Sequence, residues 1–559
     1  MQNLVWTGFG AAGPGICHAP QTCQYKGETH LCFYQGTQMV GWGHGHGIIM
    51  DKHYRVVKSI EPGSYQASSD MHEFKVINEG QSALMTQYLR SVYDLCPWDL
   101  CDGLGYIQQG AFQEVDVETG AVLFEWRSLD HVHPSESYVG PGTTEISGSG
   151  ERPDSPWDYF HINSIDKNDE GDYLISARHV SAVYKVSGQD GHVIWRLNGA
   201  QSDYHLDGFS FSFQHDARFI SDNEDETVIS LFDNGSNGFN QTQPYSTGQV
   251  IKLDHQTKVA TALQILDPPF VDGHGHISKS QGNYQRLPGG NIIMGWGNDA
   301  FWTEYTHDGE IVFYGAIGWR NVMNYRVHKF DNWVGLPLTK PALWTYSQFG
   351  GSKNEMRLYV SWNGATEVTS WRFFGADANH GPWHEMALRP KNGFETTYKH
   401  ESTFKYTYAE AVDAAGQTLG VSDVQETYTP NEKMVEYCDD LACRFMPTGA
   451  EREHEREQKA KERQEKEARE KWEKDRKFRI TQIVVGTLGG LAGALVILAL
   501  LWTNNFISRP VHRWSHRVVH AIRKRRRRRG STASYKALAL EEHDSDSGGD
   551  RAPMITDGS

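Results

Sequence analysis

Basic charge is scarce over most of this chain. The 559 residues carry 54 Lys and Arg against 70 Asp and Glu, a formal net charge of −16. Residues 480–559 hold 12 Lys and Arg against 6 Asp and Glu, or +6, which leaves −22 on the first 479. An acidic body of that kind is a poor nucleic-acid binder. Cysteine is sparse too, at seven. "CPWDLC" holds Cys96 and Cys101, and "CDDLAC" holds Cys438 and Cys443. No Cys or His at metal-site spacing follows either pair, which counts against zinc. Local disulfides in an oxidising compartment are favoured over free thiols, and the odd cysteine then falls among Cys17, Cys23 and Cys32. A leader is also missing: "MQNLVWTGFG" has neither a basic n-region nor an apolar run. A lumenal body needs one, so the expectation is a longer natural N-terminus. The rival is a cytosolic body whose span inserts after synthesis.

Only one long apolar run is present. "ITQIVVGTLGGLAGALVILALLW" (480–502) has 23 uncharged residues. At ~1.5 Å per residue it crosses a ~30 Å hydrocarbon core as a helix. Gly486/Gly490 and Gly489/Gly493 stand at GxxxG spacing. They form a candidate face for a homodimer, or are glycines merely tolerated there. Before the span, "EREHEREQKAKERQEKEAREKWEKDRKFR" (451–479) pairs Glu with Lys and Arg at i, i+4, so 431–479 reads as a charged helical stalk. After it, "RKRRRRR" (523–529) precedes an acidic Ser/Gly tail, so 503–559 reads as disordered. Lys and Arg crowd both sides of the span, nine in 460–479 and ten in 503–529, so charge alone does not orient it. The cysteines and two sequons, "NGS" at Asn234 and "NQT" at Asn240, place the body outside and the tail in the cytoplasm against anionic lipid.

The body is rich in Gly (56) and in Phe (24), Trp (17) and Tyr (25), a composition suited to tight turns and strands. Turn-then-strand motifs recur at "DVETGAVLFEW" (116–126), "GQDGHVIWRL" (188–197), "HQTKVATALQIL" (255–266), "HDGEIVFYGAIG" (307–318), "NGATEVTSWRF" (363–373) and "AGQTLGVSD" (415–423). Roughly six repeats of several short strands predict an all-β fold, a six-bladed β-propeller over 31–430 preceded by a 1–30 segment. In such a fold the inner strands face one channel. "SSDMHEFKV" (His72), "WDYFHINSI" (His161), "FSFQHDARF" (His215) and "VDGHGHISKSQGN" (His274, His276) are the segments to compare. His72, His161 and His215 share a phase, so one channel end would collect them. Three histidines can bind zinc. Arg178 of "LISARH" falls beside His161, however, and a guanidinium fork suits sulfate or phosphate oxygens better than a metal. His179, next along the strand, is expected on the opposite face.

"DYFHINSIDKNDEGDYLISARHVSAVYKVSGQDGHVIWRLNG" with "FSFQHDARF" and "ISLFDNG" closely resembles the arylsulfotransferase family, nearest its fungal ASST-domain branch. "MHEFKVI", "FQEVDVETGAVLFEWRSLDHVHPSESY" and "SKSQGNYQRLPGGNIIMGWG" extend the resemblance over about 31–335, with a weaker continuation to about 430. The resemblance implies a six-bladed propeller that passes a sulfuryl group from a phenolic sulfate ester to a phenol. It implies no cofactor, no use of 3′-phosphoadenosine 5′-phosphosulfate, and a transiently sulfated histidine. By motif the nucleophile falls on His215, supporting groups on His161 and Arg178, and a further histidine on His72. Two other readings compete: a non-catalytic propeller serving as a binding or receptor module on a membrane stalk, and a quinoprotein dehydrogenase. The second would want an ion-binding Glu/Asn/Asp cluster and eight Trp-bearing repeats, which this sequence lacks.

Overall fold

The computed structural model describes residues 4–8, 16–63, 68–144, 146–270, 273–318, 322–348, 355–429 and 466. The stalk, the span at 480–502, the tail and the Cys438/Cys443 pair therefore lie outside the described residues, save Lys466 in the stalk. Among the described residues no helix is long and apolar enough to cross a membrane. The described residues from Leu4 to Thr429 form one compact unit.

That unit is all-β. Its first sheet is β1 (Ile16–Tyr25), β2 (Glu28–Gln38), β3 (Gly43–Met50) and β4 (Val56–Ile60), in that order. The second is β5 (Phe74–Ile77), β6 (Ser82–Tyr93), β7 (Gly105–Asp116) and β8 (Val122–Arg127), with β9 (Trp157–Asp158) added parallel to β7. The third is β10 (Ile162–Lys167), β11 (Tyr173–Ala177), β12 (Ala182–Val186) and β13 (Val193–Leu197). The fourth runs β15 (His215–Asp222), β16 (Glu226–Asp233), β17 (Thr247–Asp254) and β18 (Val259–Leu266), edged by β14 (His205–Asp207). The fifth is β19 (Asn283–Arg286), β20 (Ile292–Gly295), β21 (Phe301–Tyr305) and β22 (Ile311–Ala316).

The recurring turns have a common cause. Asp116 accepts hydrogen bonds from the backbone N–H of Glu118 and Thr119, and Asp254 does the same for Gln256 and Thr257. A short carboxylate that folds back on its own backbone fixes the turn and returns the chain beside itself. Middle strands such as β11 and β12 are buried on both faces because each sheet packs against the next, while the outermost strands, such as β22, are largely exposed. Phe74 and Met85 meet Ile49 and Tyr34 between the first two sheets. Trp126, Phe160 and Tyr184 fill the space between the second and third. Ile229 and Leu253 meet Leu174 and Trp195 between the third and fourth, and Phe232 meets Trp296 between the fourth and fifth. Each large apolar side chain so buried contributes about 1.5–3 kcal/mol.

The first long strand of each sheet faces a common axis. Gln21 (β1), Lys75 (β5), Asp166 (β10), Arg218 (β15) and Gln285 (β19) together line one cavity of about 620 Å³. The segment after β22 then closes the axis. It runs beside β19, with Asn283 bonded both ways to Val327 and Gln285 both ways to Lys329. Just before them Arg326 is buried and bonds Glu73 (2.7 Å) and the carbonyls of His72 and Asn163. Arg218 bonds the other oxygen of Glu73 (2.6 Å) and Asp216 (2.7 Å).

The remaining strands differ from the expected sixth blade. β23 (Ala342–Gln348), β24 (Glu355–Ser361) and β27 (Glu395–His400) form one sheet, while β25 (Ser370–Ala376), β26 (His384–Pro390), β28 (Tyr406–Val412) and β29 (Thr418–Val421) form another, with β30 (Gln425–Glu426) paired to β28. Their shared core of Leu358, Tyr398, Trp371, Phe373 and Ala409 makes a two-layer sandwich. Turn motifs and alternation look alike in a blade and a sandwich; the exchange of strands between layers leaves no local mark. The boundary expected at residue 31 also falls inside β2, because Cys23 and Cys32 pair across β1 and β2 in a disulfide. Cys96–Cys101 is bridged as expected, and among the described residues Cys17 is the free thiol.

Candidate active site

All four candidate residues, His72, His161, Arg178 and His215, line one cavity of about 520 Å³. Each is 2–3% exposed. His274 and His276 are not among its lining residues; His276 pairs with Asp299 (2.9 Å).

The strand starts explain the convergence. His72, His161 and His215 sit at or just before β5, β10 and β15, where the chain enters the axis. His161 takes a left-handed backbone (φ 56°), uncommon for a side chain with a Cβ, and Asp158 holds it there by accepting its N–H (3.0 Å). The rings of His72 and His161 stand edge to face at 4.8 Å.

Two of the histidines have carboxylate partners. His72 Nδ1 donates to Asp70 Oδ1 (2.5 Å), and His161 Nδ1 donates to Asp158 Oδ2 (2.5 Å). A carboxylate only accepts, so Nδ1 carries the hydrogen in both, and each Nε2 is left for the cavity. Burial pushes Asp158 up to about 6. Burial, reinforced by His72 and Arg178, holds His161 well below the usual imidazole range.

His215 is held differently. Its Nδ1 donates to the amide oxygen of Asn234 (2.7 Å), and its Nε2 accepts from the backbone N–H of Gln281 (3.2 Å). Burial first, then the nearby Arg178, keeps it well below the usual range, so it is neutral near pH 7. Asn234 is fully buried, with Nδ2 donating to the carbonyls of Ser278 (2.9 Å) and Gln281 (3.0 Å). The sequon at Asn234 is therefore no glycan acceptor in the folded protein; Asn240 is exposed.

Arg178 has an unusual environment. β11 ends at Ala177, so Arg178 and His179 lie in a turn rather than on alternate faces of a strand. The expectation for His179 is corrected accordingly: its ring stacks on His161 at 4.4 Å. His179 Nδ1 donates to the Asp158 carbonyl (2.6 Å), and its Nε2 accepts from Arg178 Nη1 (3.2 Å). Arg178 Nη2 donates to the Lys279 carbonyl (2.9 Å). Among the described residues Nε of Arg178 has no partner and its guanidinium has no ion pair. Burial pulls it down to about 10. An unpaired buried charge costs several kcal/mol, which an anionic ligand would offset.

Asp158, His161 and His179 could also hold a metal ion by distance alone. His161 Nδ1 and both nitrogens of His179 are already engaged with Asp158 and Arg178, and a fixed guanidinium 3.2 Å from His179 Nε2 repels a cation. The set does not suit a metal. Sequence reasoning missed Asp70, Asp158, Asn234 and Lys279. The first two lie two and three residues before their histidines, in "DMH" and "DYFH", and that spacing is the signal available. Lys279 lines the cavity from an exposed position, and Met39, Phe239 and Met323 stand 45%, 54% and 48% exposed around the opening.

The family model for arylsulfotransferase (ASST) matches residues 21–318, more than half of the chain. Similar solved structures include a protein of unknown function from Bacteroides caccae, 12% identical, covering 56% of this chain and 86% of that one with a TM-score of 0.31. The GH43 BlXynB protein from Bacillus licheniformis is 8% identical, covering 79% and 93% with a TM-score of 0.29. Virginiamycin B lyase from Staphylococcus aureus is 9% identical, covering 73% and 94% with a TM-score of 0.27. No curated protein matches the sequence.

Proposed function

Since the chain belongs to the arylsulfotransferase family, we propose that it transfers a sulfuryl group from a phenolic sulfate ester to a phenol, with His215 as nucleophile. The observation that carries this reading is Arg178, a buried guanidinium with a vacant Nε–H on a cavity that also holds three histidines. Its fork would bind sulfuryl oxygens, and Lys279 at the opening would draw the anion in.

Neutral imidazole is a competent nucleophile near pH 7. Nε2 of His215 attacks sulfur, the N–S bond forms, and the bond from sulfur to the aryl oxygen breaks with its electrons on that oxygen. The bound sulfate anion favours uptake of a proton at Nε2 of His161 or His72, and the charge that grows on the leaving oxygen then takes that proton. In the second half, the acceptor phenol gives its proton to that same Nε2, its oxygen attacks sulfur, and the N–S bond breaks. Asp158 and Asp70 stabilise the imidazolium that opens the first half and is restored in the second. Arg178 holds the sulfuryl oxygens throughout. Phe239, Met39 and Met323 offer apolar contact for an aryl ring at the mouth. The cycle needs no nucleotide sulfate donor.

The five in-order sheets with inner strands on one axis support reading the catalytic body as a propeller of five blades with an appended sandwich. The disulfides and the exposed Asn240 sequon agree with a lumenal or extracellular body on a single-pass anchor at 480–502, with a cytoplasmic tail. The sequence motifs favour the fungal branch of the family. The direct test is release of 4-nitrophenolate from 4-nitrophenyl sulfate, with and without phenol. Phenol-dependent release that is lost in His215→Ala supports the reading. No release from folded protein across a panel of phenols would overturn it in favour of a non-catalytic binding module.

A further inference from the structure

The three histidines on the cavity differ in one respect: His72 and His161 lean on carboxylates, whereas His215 leans on an amide. We propose that Asn234 is a positioning residue that makes His215 the nucleophile, and that the partner of each histidine sets its role. The inference rests on the sulfuryl-transfer reading above.

The amide cannot be turned round. Nδ2 of Asn234 faces two carbonyl oxygens, Ser278 O and Gln281 O, so Oδ1 must face His215. An acceptor at Nδ1 puts the hydrogen there and leaves the lone pair on Nε2. The Gln281 N–H, which points at Nε2, selects the same tautomer from the other side. Two independent contacts thus fix the Nδ1–H tautomer beside Arg178, and the donor's sulfur has to displace the Gln281 N–H from the Nε2 lone pair to be attacked.

The neutrality of the partner matters as much as its geometry. Once Nε2 carries the sulfuryl group, the ring is a sulfoimidazolium with Nδ1–H still bonded to Asn234. A carboxylate there would stabilise that cation and slow cleavage of the N–S bond. An amide leaves the bond labile, so the second phenol can take the group. The same two carbonyls exclude an ionised carboxylate from position 234. At His72 and His161 the opposite is useful: Asp70 and Asp158 stabilise an imidazolium that carries a proton between the two phenolic oxygens.

The test compares leaving groups. Asp158→Asn and Asp70→Asn should lose rate with both donors, through the proton taken from the acceptor phenol, and should lose far more with phenyl sulfate, whose leaving oxygen also needs a proton. Asn234→Ala should lose about 10²-fold in kcat with both donors alike, with KM unchanged. Asn234→Asp should regain activity near pH 6, where its carboxyl keeps a proton between the two carbonyls and still accepts from Nδ1–H. It should lose that activity as pH rises and the group ionises, a limb that the wild type lacks. Wild-type kcat in Asn234→Ala, or a wild-type pH profile in Asn234→Asp, overturns the inference. If the wild type releases no nitrophenolate at all, the sulfuryl reading fails separately. Imidazole ¹⁵N spectra of the full chain then decide Asn234: the inference requires His215 as the Nδ1–H tautomer in the wild type and not in Asn234→Ala, and an identical tautomer in both overturns it.

Discussion

Mild acid should weaken this fold well before its surface carboxylates titrate. Burial is the leading cause that holds His18, His161, His179, His215 and His328 below the ordinary imidazole value of 6.5, with His18 and His328 pulled to about 4. In the unfolded chain all five return to the ordinary value. Below pH 6.5 the unfolded state therefore takes up protons that the folded state refuses, and stability falls as pH falls. Between pH 6.5 and 5.5 each such histidine costs about 1 kcal/mol, and the five together about 5. Two buried acids act in the other direction. Burial raises Asp158 to about 6 and Asp233 to about 7, so the folded state binds their protons first and gains as pH falls through those values. Their offset is about 2 kcal/mol over the same interval, leaving a net loss of about 3. Against a typical total of about 5–15 kcal/mol that is a large fraction. Urea unfolding followed by tryptophan fluorescence at pH 7.5, 6.5 and 5.5 measures it. A midpoint that is flat or higher at pH 5.5 than at 6.5 would refute the premise that these histidines are buried neutral.

Arg178→Lys keeps the charge but loses the fork, and should cost about 10²-fold in kcat with 4-nitrophenyl sulfate; wild-type turnover would make Arg178 structural. Lys279→Ala should raise KM several-fold with kcat unchanged, and the difference should shrink in high salt; a salt-independent loss in kcat would place Lys279 at the reacting group instead. Glu73→Gln strips the buried Arg326 of its carboxylate and should destabilise by about 3–5 kcal/mol, seen as a lower urea midpoint; no change would mean that Asp216 alone compensates. In secreted material any glycan in the 234–242 loop should sit on Asn240, and a glycopeptide modified at Asn234 would contradict its burial.

The sequence showed the site's histidines because they recur in phase at strand starts, and a shared phase in successive sheets becomes a shared place in space. It showed Arg178 through the motif beside His161. It did not show their partners. Asp70 and Asp158 act through two- and three-residue turns, which have no period to detect. Asn234 looked like a glycan acceptor because a tripeptide rule carries no information on burial. His179 was misplaced by strand alternation, which holds only while the strand continues, and β11 stops two residues earlier. The all-β character and most turns were legible from Asp, Gly and alternating apolar residues. The sandwich was not, because Leu358 and Phe373 alternate as blade residues would and only their long-range partners reveal two layers.

Arg326 also bears on how the chain must be cut and how it is made. It lies beyond residue 318, where the family match ends, yet it is the cation that reaches Glu73 and Asp216 across the axis. A fragment ended at 318 would keep His72, His161, Arg178 and His215 and would still leave Glu73 and Asp216, both buried, sharing the guanidinium of Arg218 alone. The ribosome faces the same situation for a short interval: five sheets have been synthesised while the residue that locks them is still inside the exit tunnel. The extent of recognisable kinship is thus shorter than the extent of the folding unit, and expression boundaries chosen from the first would omit the last piece that the second requires.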